Sequence, residues 1–196
     1  MNYKKIALTG GIGSGKSTAL KVLERAGYKT LSSDQIVSEL YQKRSVKNKL
    51  KTLFPTAVKG ALFLKIDRAK ISAEVFNDKN KHKQLTDLIT PLVLDQIKKR
   101  TAKLKAHVFV EVPLLFECAY QSEFDGVMVI TRTLDARIKS VKSRSNLTEE
   151  QVLSRIKNQV DYDKIDLSPY AIIQNDEDTK ALEQNVLHTA KLILEN

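Results

Sequence analysis

Short apolar runs alternate with longer stretches of helical periodicity along the chain. The runs are rich in β-branched and aromatic residues and end at glycine or polar positions, which is typical of buried strands. The five predicted strands are 5–9, 28–31, 107–112, 126–131 and 170–173. Between them the pattern predicts helices over 16–26, 35–106, 134–145, 149–160 and 178–194. This alternation predicts an α/β fold, a five-stranded parallel sheet between two layers of helices.

One connection is too long for a simple crossover between parallel strands. About seventy residues separate the second and third predicted strands, and their pattern is helical almost throughout. Pro55 and Pro91 are predicted to break or kink this helical segment. We interpret 35–106 as a helical insertion in a single domain whose core is 1–34 and 107–196. Because ligands bind beyond the carboxyl ends of parallel strands, an insertion there is expected to carry substrate specificity.

The bulk composition adds few constraints. Hydrophobic residues make up 42% of the 196 residues and charged residues 29%, which is typical of a soluble globular protein. No apolar run approaches the roughly 18–20 residues that cross a membrane, and the start of the chain does not resemble a secretory signal. Cys118 is the single cysteine, so an intrachain disulfide is impossible. We expect a cytoplasmic monomer or small homo-oligomer without membrane contacts.

The chain is strongly basic, with 33 Lys and Arg against 23 Asp and Glu and a formal charge of +10. Nucleic-acid binders have such a balance. Enzymes with polyphosphate substrates have it too, because a basic cleft concentrates polyanions. Solvated lysines without a role are the third interpretation. Net charge alone leaves these three open.

Residues 10–17 read G-G-I-G-S-G-K-S and satisfy the phosphate-binding pattern G-x-x-x-x-G-K-[ST]. A predicted strand precedes the loop and a predicted helix begins at its lysine, which is the context that the pattern requires. Glycines let consecutive N–H groups converge on phosphate oxygens, and the start of the helix adds further donors. The lysine brings a positive charge, and the serine hydroxyl is a ligand for Mg²⁺. The predicted ATP-binding residues are Gly11, Ile12, Gly13, Ser14, Gly15, Lys16, Ser17 and Thr18.

The rest of the chain favours a small-molecule kinase among proteins with this loop. It lacks the N-K-x-D motif of GTPases and is short for a motor ATPase. Asp34 follows the second predicted strand and can accept the proton of a substrate hydroxyl; alternatively it is the N-cap of a helix that begins at Gln35. Glu111 follows the apolar run 107–110 of the third strand, where a carboxylate can hold Mg²⁺; alternatively it forms a strand-end salt bridge.

Arginines surround a predicted helix–turn–helix at 137–160, which we interpret as a lid that closes over the phosphates. Arg137 and Arg144 belong to its first helix and Arg155 to its second. At least one of the three is expected to be an ordinary surface arginine. Thr148 and Gln151 have the spacing of a capping box, which predicts the start of the second helix.

These motifs together resemble the dephospho-coenzyme A kinase family nearly end to end. The loop has the extended form L-T-G-G-I-G-S-G-K-S, and V-P-L-L-F-E at 112–117 matches a second family element. Asp34 matches the second aspartate of D-A-D, Asp67-Arg68 with Val75-Phe76 matches a pattern of the inserted region, and L-I-T-P-L at 88–92 matches L-x-H-P-L. Gln159 falls at a lid position, and I-Q-N at 173–175 resembles a late element near the adenine.

The resemblance implies transfer of the γ-phosphate of ATP to the 3′-hydroxyl of dephospho-coenzyme A, with Mg²⁺. It implies catalytic roles for Lys16, Asp34 and Arg144, and metal binding by Ser17 and Glu111. Asn175 and Arg137 would complete the ATP site. The residues implied to contact the acceptor are Asp34, Arg68, Thr90, Pro113 and Leu114.

Two positions depart from the family pattern. Ser32 replaces the first acid of D-A-D, so metal binding is expected to depend more on Ser17, Asp34 and Glu111. Thr90 replaces the histidine of H-P-L and is expected to donate a weaker hydrogen bond or to cap a helix.

Two other functions remain open on the sequence. A different P-loop kinase, acting on a nucleoside or nucleoside monophosphate, would keep the loop and lid and change the acceptor pocket. A nucleic-acid-binding protein with nucleotide as a switch would use the basic surface, with affinity that falls steeply with salt. Neither aromatic–basic interleaving nor a nucleic-acid motif appears, so we expect no nucleic-acid partner.

Overall fold

The computed structural model describes residues 3–61, 63–145 and 147–195. Its strands are β1 (Lys5–Thr9), β2 (Lys29–Ser32), β3 (Val58–Lys59), β4 (Lys65–Ile66), β5 (Val108–Glu111), β6 (Gly126–Thr131) and β7 (Ala171–Gln174). Its helices are α1 (Lys16–Arg25), α2 (Ser33–Leu40), α3 (Arg44–Leu53), α4 (Arg68–Asn77), α5 (Lys79–Leu104), α6 (Leu134–Arg144), α7 (Glu149–Lys157) and α8 (Thr179–Glu195).

Five strands form one parallel sheet in the order β2-β5-β1-β6-β7, which confirms the predicted fold class. The predicted bounds of β1 and β6 match the observed ones, and those of β2, β5 and β7 differ by one residue at each end. One face of the sheet packs against α1 and α8 through a core that includes Leu8, Phe109, Met128 and Val186. Strand residues that point the opposite way, such as Val129, are equally buried. Burial on both faces explains why these strands read as continuous apolar runs.

The chain divides into two compact units. One extends through Ser32 and resumes at Lys103, and it contains the parallel sheet. The other is Ser33–Ala102.

The prediction of a purely helical segment over 35–106 was incomplete. The segment contains helices and, in addition, the antiparallel pair β3–β4. Strands of two residues are too short to leave a periodic pattern, so they could not be recognised from the sequence. Pro55 lies beyond the end of α3, whereas α5 continues through Pro91.

Candidate active site

The phosphate-binding pattern forms a loop between β1 and α1, as the sequence predicts. Gly13 and Gly15 both adopt positive φ angles, 79° and 107°. A Cβ atom on Gly13 would lie 2.5 Å from the carbonyl oxygen of Arg137, and one on Gly15 would lie 2.4 Å from Asn175 Nδ2. Glycine is therefore required at both positions, for the backbone angle and for the space.

Lys16 is the first residue of α1 and is buried. Its ammonium group donates hydrogen bonds to the carbonyl oxygens of Gly10 at 2.7 Å and Gly11 at 2.9 Å. These bonds hold the charge over the loop that precedes the helix. A buried cation at the N-terminus of a helix is a strong site for an anionic oxygen.

Ser17 and Glu111 come together at the carboxyl edge of the sheet. Ser17 Oγ donates to Glu111 Oε1 at 3.0 Å, although 94 residues separate them. Glu111 ends β5, in register with Leu8 of β1 and Ser32 of β2, and is 9% exposed. The strand-end salt bridge is absent from the described residues. A hydroxyl and a carboxylate are the hard oxygen ligands that Mg²⁺ prefers.

A cleft of about 140 Å³ opens beside the loop. Its lining combines the loop and start of α1 with residues from the β6–α6 and β7–α8 connections. The lining residues are Gly13, Gly15, Lys16, Ser17, Thr18, Arg132, Ser140, Arg144, Asn175, Glu177, Thr179 and Leu182. Four of the predicted ATP-binding residues do not line the cleft: Gly11, Ile12, Ser14 and Arg137. They form hydrogen bonds within the loop or between the loop and its neighbours in the fold.

Asn175 is buried directly behind the loop. Its backbone N–H donates to the carbonyl oxygen of Thr131 at 2.9 Å, and its side-chain Nδ2 donates to the carbonyl oxygen of Ser14 at 2.7 Å. Asn175 therefore braces the loop and also lines the cleft.

Two residues from the region interpreted as a lid hold the tip of the loop. Gln159, just after α7, accepts a hydrogen bond from the backbone N–H of Ile12 at 2.6 Å. Arg137 of α6 donates through Nε to the carbonyl oxygen of Ile12 at 3.0 Å. Burial lowers the pKa of Arg137 from its ordinary value. The N–H and the carbonyl oxygen of Ile12 are therefore hydrogen-bonded to residues at opposite ends of the α6–α7 pair.

The other lid features have different positions. Arg144 is exposed and lines the cleft, whereas Arg155 is exposed and does not. The capping box of Thr148 and Gln151 is confirmed, since Thr148 Oγ1 accepts from the N–H of Gln151 and Gln151 Oε1 from the N–H of Thr148.

Tyr162 fastens the segment after α7 to the end of β1. Its hydroxyl lies 3.4 Å from Thr9 Oγ1, and its ring packs edge-on against Phe116. Burial is the main cause that raises the pKa of Tyr162 to about 12. Glu117 accepts a hydrogen bond from the N–H of Val160 at 3.0 Å, so the same segment is also held by the element that follows β5.

The predicted acceptor residues Pro113 and Leu114 lie in the turn after β5. Leu114 is 44% exposed, and its carbonyl oxygen accepts a hydrogen bond from the N–H of Cys118 at 3.1 Å.

Within the Ser33–Ala102 unit, Asp34 lies in the first turn of α2. The alternative that it caps a helix beginning at Gln35 is therefore wrong: α2 begins two residues earlier, at Ser33, and a carboxylate in its first turn suits the helix dipole. The carboxylate is exposed and has no hydrogen-bond or ion-pair partner in the described part of the chain. Its backbone carbonyl accepts from Ser38 Oγ.

Arg68 and Thr90 belong to different helices of this unit. Arg68 begins α4, and its guanidinium lies over the ring of Tyr41, 5.2 Å from the centroid, and donates to Ser38 Oγ at 3.1 Å. Thr90 lies in the middle of α5, so the expectation that it caps a helix is wrong. Its neighbours Ile89 and Val93 are buried, and α5 continues through Pro91.

The sequence interpretation missed Arg132, which lines the cleft immediately after β6. The signal was present, because a charged residue directly after a buried parallel strand also pointed to Glu111. Among the described residues, no three His, Cys, Asp or Glu side chains gather as metal ligands. No helix in the described ranges is both long enough and apolar enough to span a bilayer.

The sheet order, the loop between β1 and α1 and the helix pair bonded to the loop define a P-loop kinase. The dephospho-CoA kinase family model matches residues 4–181, and the Helicobacter pylori J99 dephospho-CoA kinase is 33% identical over 195 residues, 96% of this chain and 97% of that one. The chain belongs to the dephospho-CoA kinase family and is an ATP-dependent phosphotransferase.

Solved structures agree with this fold. The Thermus thermophilus protein TT1252 superposes with a TM-score of 0.86 at 30% identity and covers 98% of each chain. The dephospho-CoA kinase from Campylobacter jejuni superposes with a TM-score of 0.67 at 24% identity over 97% of each chain, and it supports the fold alone.

Proposed function

We propose that the protein transfers the γ-phosphoryl group of ATP to the 3′-hydroxyl of dephospho-CoA with the residues described below. The ribose oxygen attacks the γ-phosphorus, the bond between that phosphorus and the ADP oxygen breaks, and the hydroxyl proton passes to a carboxylate. The products are coenzyme A and ADP. The observation that carries the proposal is the grouping of Lys16, Ser17 and Glu111 at the carboxyl edge of the sheet, in a member of this family.

The donor half of the site is the loop and the start of α1. Backbone N–H groups of the loop residues that line the cleft, Gly13, Gly15, Lys16 and Ser17, would surround the phosphates. The ammonium group of Lys16 would neutralise the charge that develops as the γ-phosphoryl group leaves. Arg144 faces the same cleft and adds a second cation. Asn175 and Arg137 hold the loop in its phosphate-binding shape.

Mg²⁺ fits the pair formed by Ser17 and Glu111. Mg²⁺ is normally held by one or two protein oxygens together with substrate phosphates and water, and this pair supplies that number. When bound, the ion neutralises phosphate charge. Glu111 accepts a hydrogen bond from the Ser17 hydroxyl, which keeps Ser17 Oγ next to the carboxylate.

Asp34 is the proposed proton acceptor and hydroxyl-orienting residue. Asp34 follows Ser32 by two residues, and Ser32 is in register with Glu111 on the neighbouring strand. The role proposed for Asp34 rests on its place in the sequence, two residues after the end of β2.

The acceptor belongs, in this proposal, to the helical insertion 35–106, with the core at 1–34 and 107–196 and the lid at 137–160. The Ser33–Ala102 unit has 15 Lys and Arg against 7 Asp and Glu, so most of the net charge of +10 lies there. Such a surface suits a substrate with a pyrophosphate. Arg68, already oriented by Ser38 and Tyr41, is the proposed pyrophosphate contact. Thr90, Pro113 and Leu114 are proposed as further acceptor contacts, in a cytoplasmic enzyme.

A substrate panel tests the proposal. ADP release from ATP and Mg²⁺ is measured with dephospho-CoA, AMP, adenosine and desulfo-dephospho-CoA as acceptors. We expect turnover with dephospho-CoA and its desulfo analogue, because the reacting hydroxyl and pyrophosphate are intact in both. Turnover with AMP or adenosine alone would contradict the proposal.

A further inference from the structure

Arg132 is a cation at the nucleotide cleft that has no role in the assignments above. It directly follows β6, which lies beside the central strand β1, so it occupies the carboxyl edge of the sheet. It lines the same cleft as Lys16 and Arg144. The three positive side chains come from three separate elements of the fold.

The guanidinium of Arg132 has no hydrogen bond or salt bridge with any described residue, and its Nε atom is buried without an acceptor. The pKa of Asp176 is lowered mainly by its hydrogen bonds from Thr133 and Gln174, and the positive charge of Arg132 contributes less. Both carboxylate oxygens of Asp176 are already used, one by the N–H of Thr133 and the other by Gln174 Nε2, each at 2.9 Å. Glu177 lines the cleft but forms no salt bridge with Arg132.

A buried N–H on a cation destabilises a fold unless it finds an acceptor. The strongest acceptors for a guanidinium are anionic oxygens, because charge-assisted hydrogen bonds are the strongest. The cleft that Arg132 faces also contains the phosphate loop and the N-terminus of α1. Of the Arg132 nitrogens, only Nε is buried without a partner among the described residues, and the side chain as a whole is half-buried, so the terminal nitrogens are the donors that a phosphate oxygen in the cleft can reach.

We propose that Arg132 is a third cationic contact to the phosphate chain of the bound nucleotide, beside Lys16 and Arg144. The inference rests on the proposed nucleotide site. It makes Arg132 a determinant of affinity for the triphosphate, and it places the side chain on phosphate oxygens and not on the purine.

Binding measured without any acceptor substrate tests this role. Arg132→Met retains most of the apolar stem and removes the charge, Arg132→Lys retains the charge, and Arg155→Met makes the same change at an exposed arginine away from the cleft. Affinities for ATP, tripolyphosphate and adenosine are measured by calorimetry, and the ligand-free Tm of each variant is recorded.

We expect Arg132→Met to weaken the binding of ATP and of tripolyphosphate by about tenfold or more, since a charged hydrogen bond is lost. Its ligand-free Tm should equal or exceed that of the wild type, because the unpaired donor is gone. The ATP affinity of Arg132→Lys should lie between those of Arg132→Met and the wild type, and that of Arg155→Met should match the wild type.

Equal ATP affinity in Arg132→Met and Arg155→Met would overturn the inference. Weaker ATP binding with unchanged tripolyphosphate binding would also overturn it, because the contact would then be to the nucleoside. A wild-type protein that binds neither ATP nor tripolyphosphate would instead refute the proposed donor site, so the two failures are distinct.

Discussion

Two carboxylates follow neighbouring parallel strands and have opposite surroundings. Glu111 is buried and accepts the Ser17 hydroxyl, whereas Asp34 is exposed and its carboxylate has no bond to the described protein. An oxygen held in a fixed position suits a metal site. A carboxylate without a protein partner suits a substrate hydroxyl, which it can bind without breaking an existing contact. The surroundings therefore separate two roles that the same chemical group can perform.

Replacing the carboxylate of Asp34 separates the roles experimentally. Asp34→Asn removes the proton acceptor, so we expect kcat to fall by about 10²–10⁴-fold, the range typical of general base catalysis. ATP affinity should stay within about twofold, since the donor half of the site is intact. Asp87→Asn is the matched control, because Asp87 is exposed on α5 and, within the described ranges, pairs with Lys83 alone across one helical turn. Steady-state kinetics with near-normal turnover in Asp34→Asn would contradict the assignment.

At the scale of elements, the α6–α7 pair and the phosphate loop are bonded into one arrangement. Arg137 donates a hydrogen bond to the carbonyl oxygen of Ile12, and Gln159 accepts one from its N–H. Both ends of the helix pair are therefore bonded to the same residue of the loop. The capping box of Thr148 fixes where α7 begins. A change in the position of the helix pair is therefore transmitted directly to the loop.

The bond from Gln159 makes the coupling measurable. Gln159→Ala removes one hydrogen bond to the loop, which is worth about 1 kcal/mol, so the KM for ATP should rise about fivefold. The KM for dephospho-CoA should change less, because the side chain of Gln159 is bonded to the donor loop. Gln184→Ala, at an exposed position of α8, is the matched control. If both variants have the wild-type KM for ATP, the bond does not position the loop.

For the molecule as a whole, the charge is unevenly divided. The Ser33–Ala102 unit has 15 of the 33 Lys and Arg but only 7 of the 23 Asp and Glu. The rest of the chain is close to balanced. This division favours a polyanion-binding role for the basic residues over lysines spread evenly across a solvated surface.

The stability of the whole fold should depend on Tyr162 at alkaline pH. Its folded pKa of about 12 exceeds the ordinary value of 10, so the folded state retains a proton that the unfolded state loses. The associated stability is fully present below pH 10 and is lost as the pH rises from 10 towards 12. In urea unfolding experiments across this pH range, the free energy of unfolding should fall more steeply with pH for the wild type than for Tyr162→Phe. Parallel slopes would show that the hydroxyl is not buried as described.

The sequence by itself determined the strands of the sheet, the parallel fold and the phosphate loop. Periodicity, β-branched runs and glycine spacing are local, so each can be recognised without knowing what packs against it. It also indicated that Glu111 lies at the end of a strand and that Thr148 begins a capping box. Local patterns did not indicate β3–β4, whose strands are two residues long, nor the start of α2 at Ser33.

Only the tertiary structure decided which of these residues meet. Ser17 finds Glu111 across 94 residues, and Ile12 is held by Arg137 and Gln159 across 125 and 147. The order β2-β5-β1-β6-β7 produces these meetings, because it brings strands from distant parts of the chain to one edge. Arg132 is a candidate phosphate contact because it lines the cleft beside the loop and its buried Nε atom has no acceptor among the described residues, and both features depend on the packed fold. Pairing and burial of this kind depend on the packed fold, and no local pattern records them.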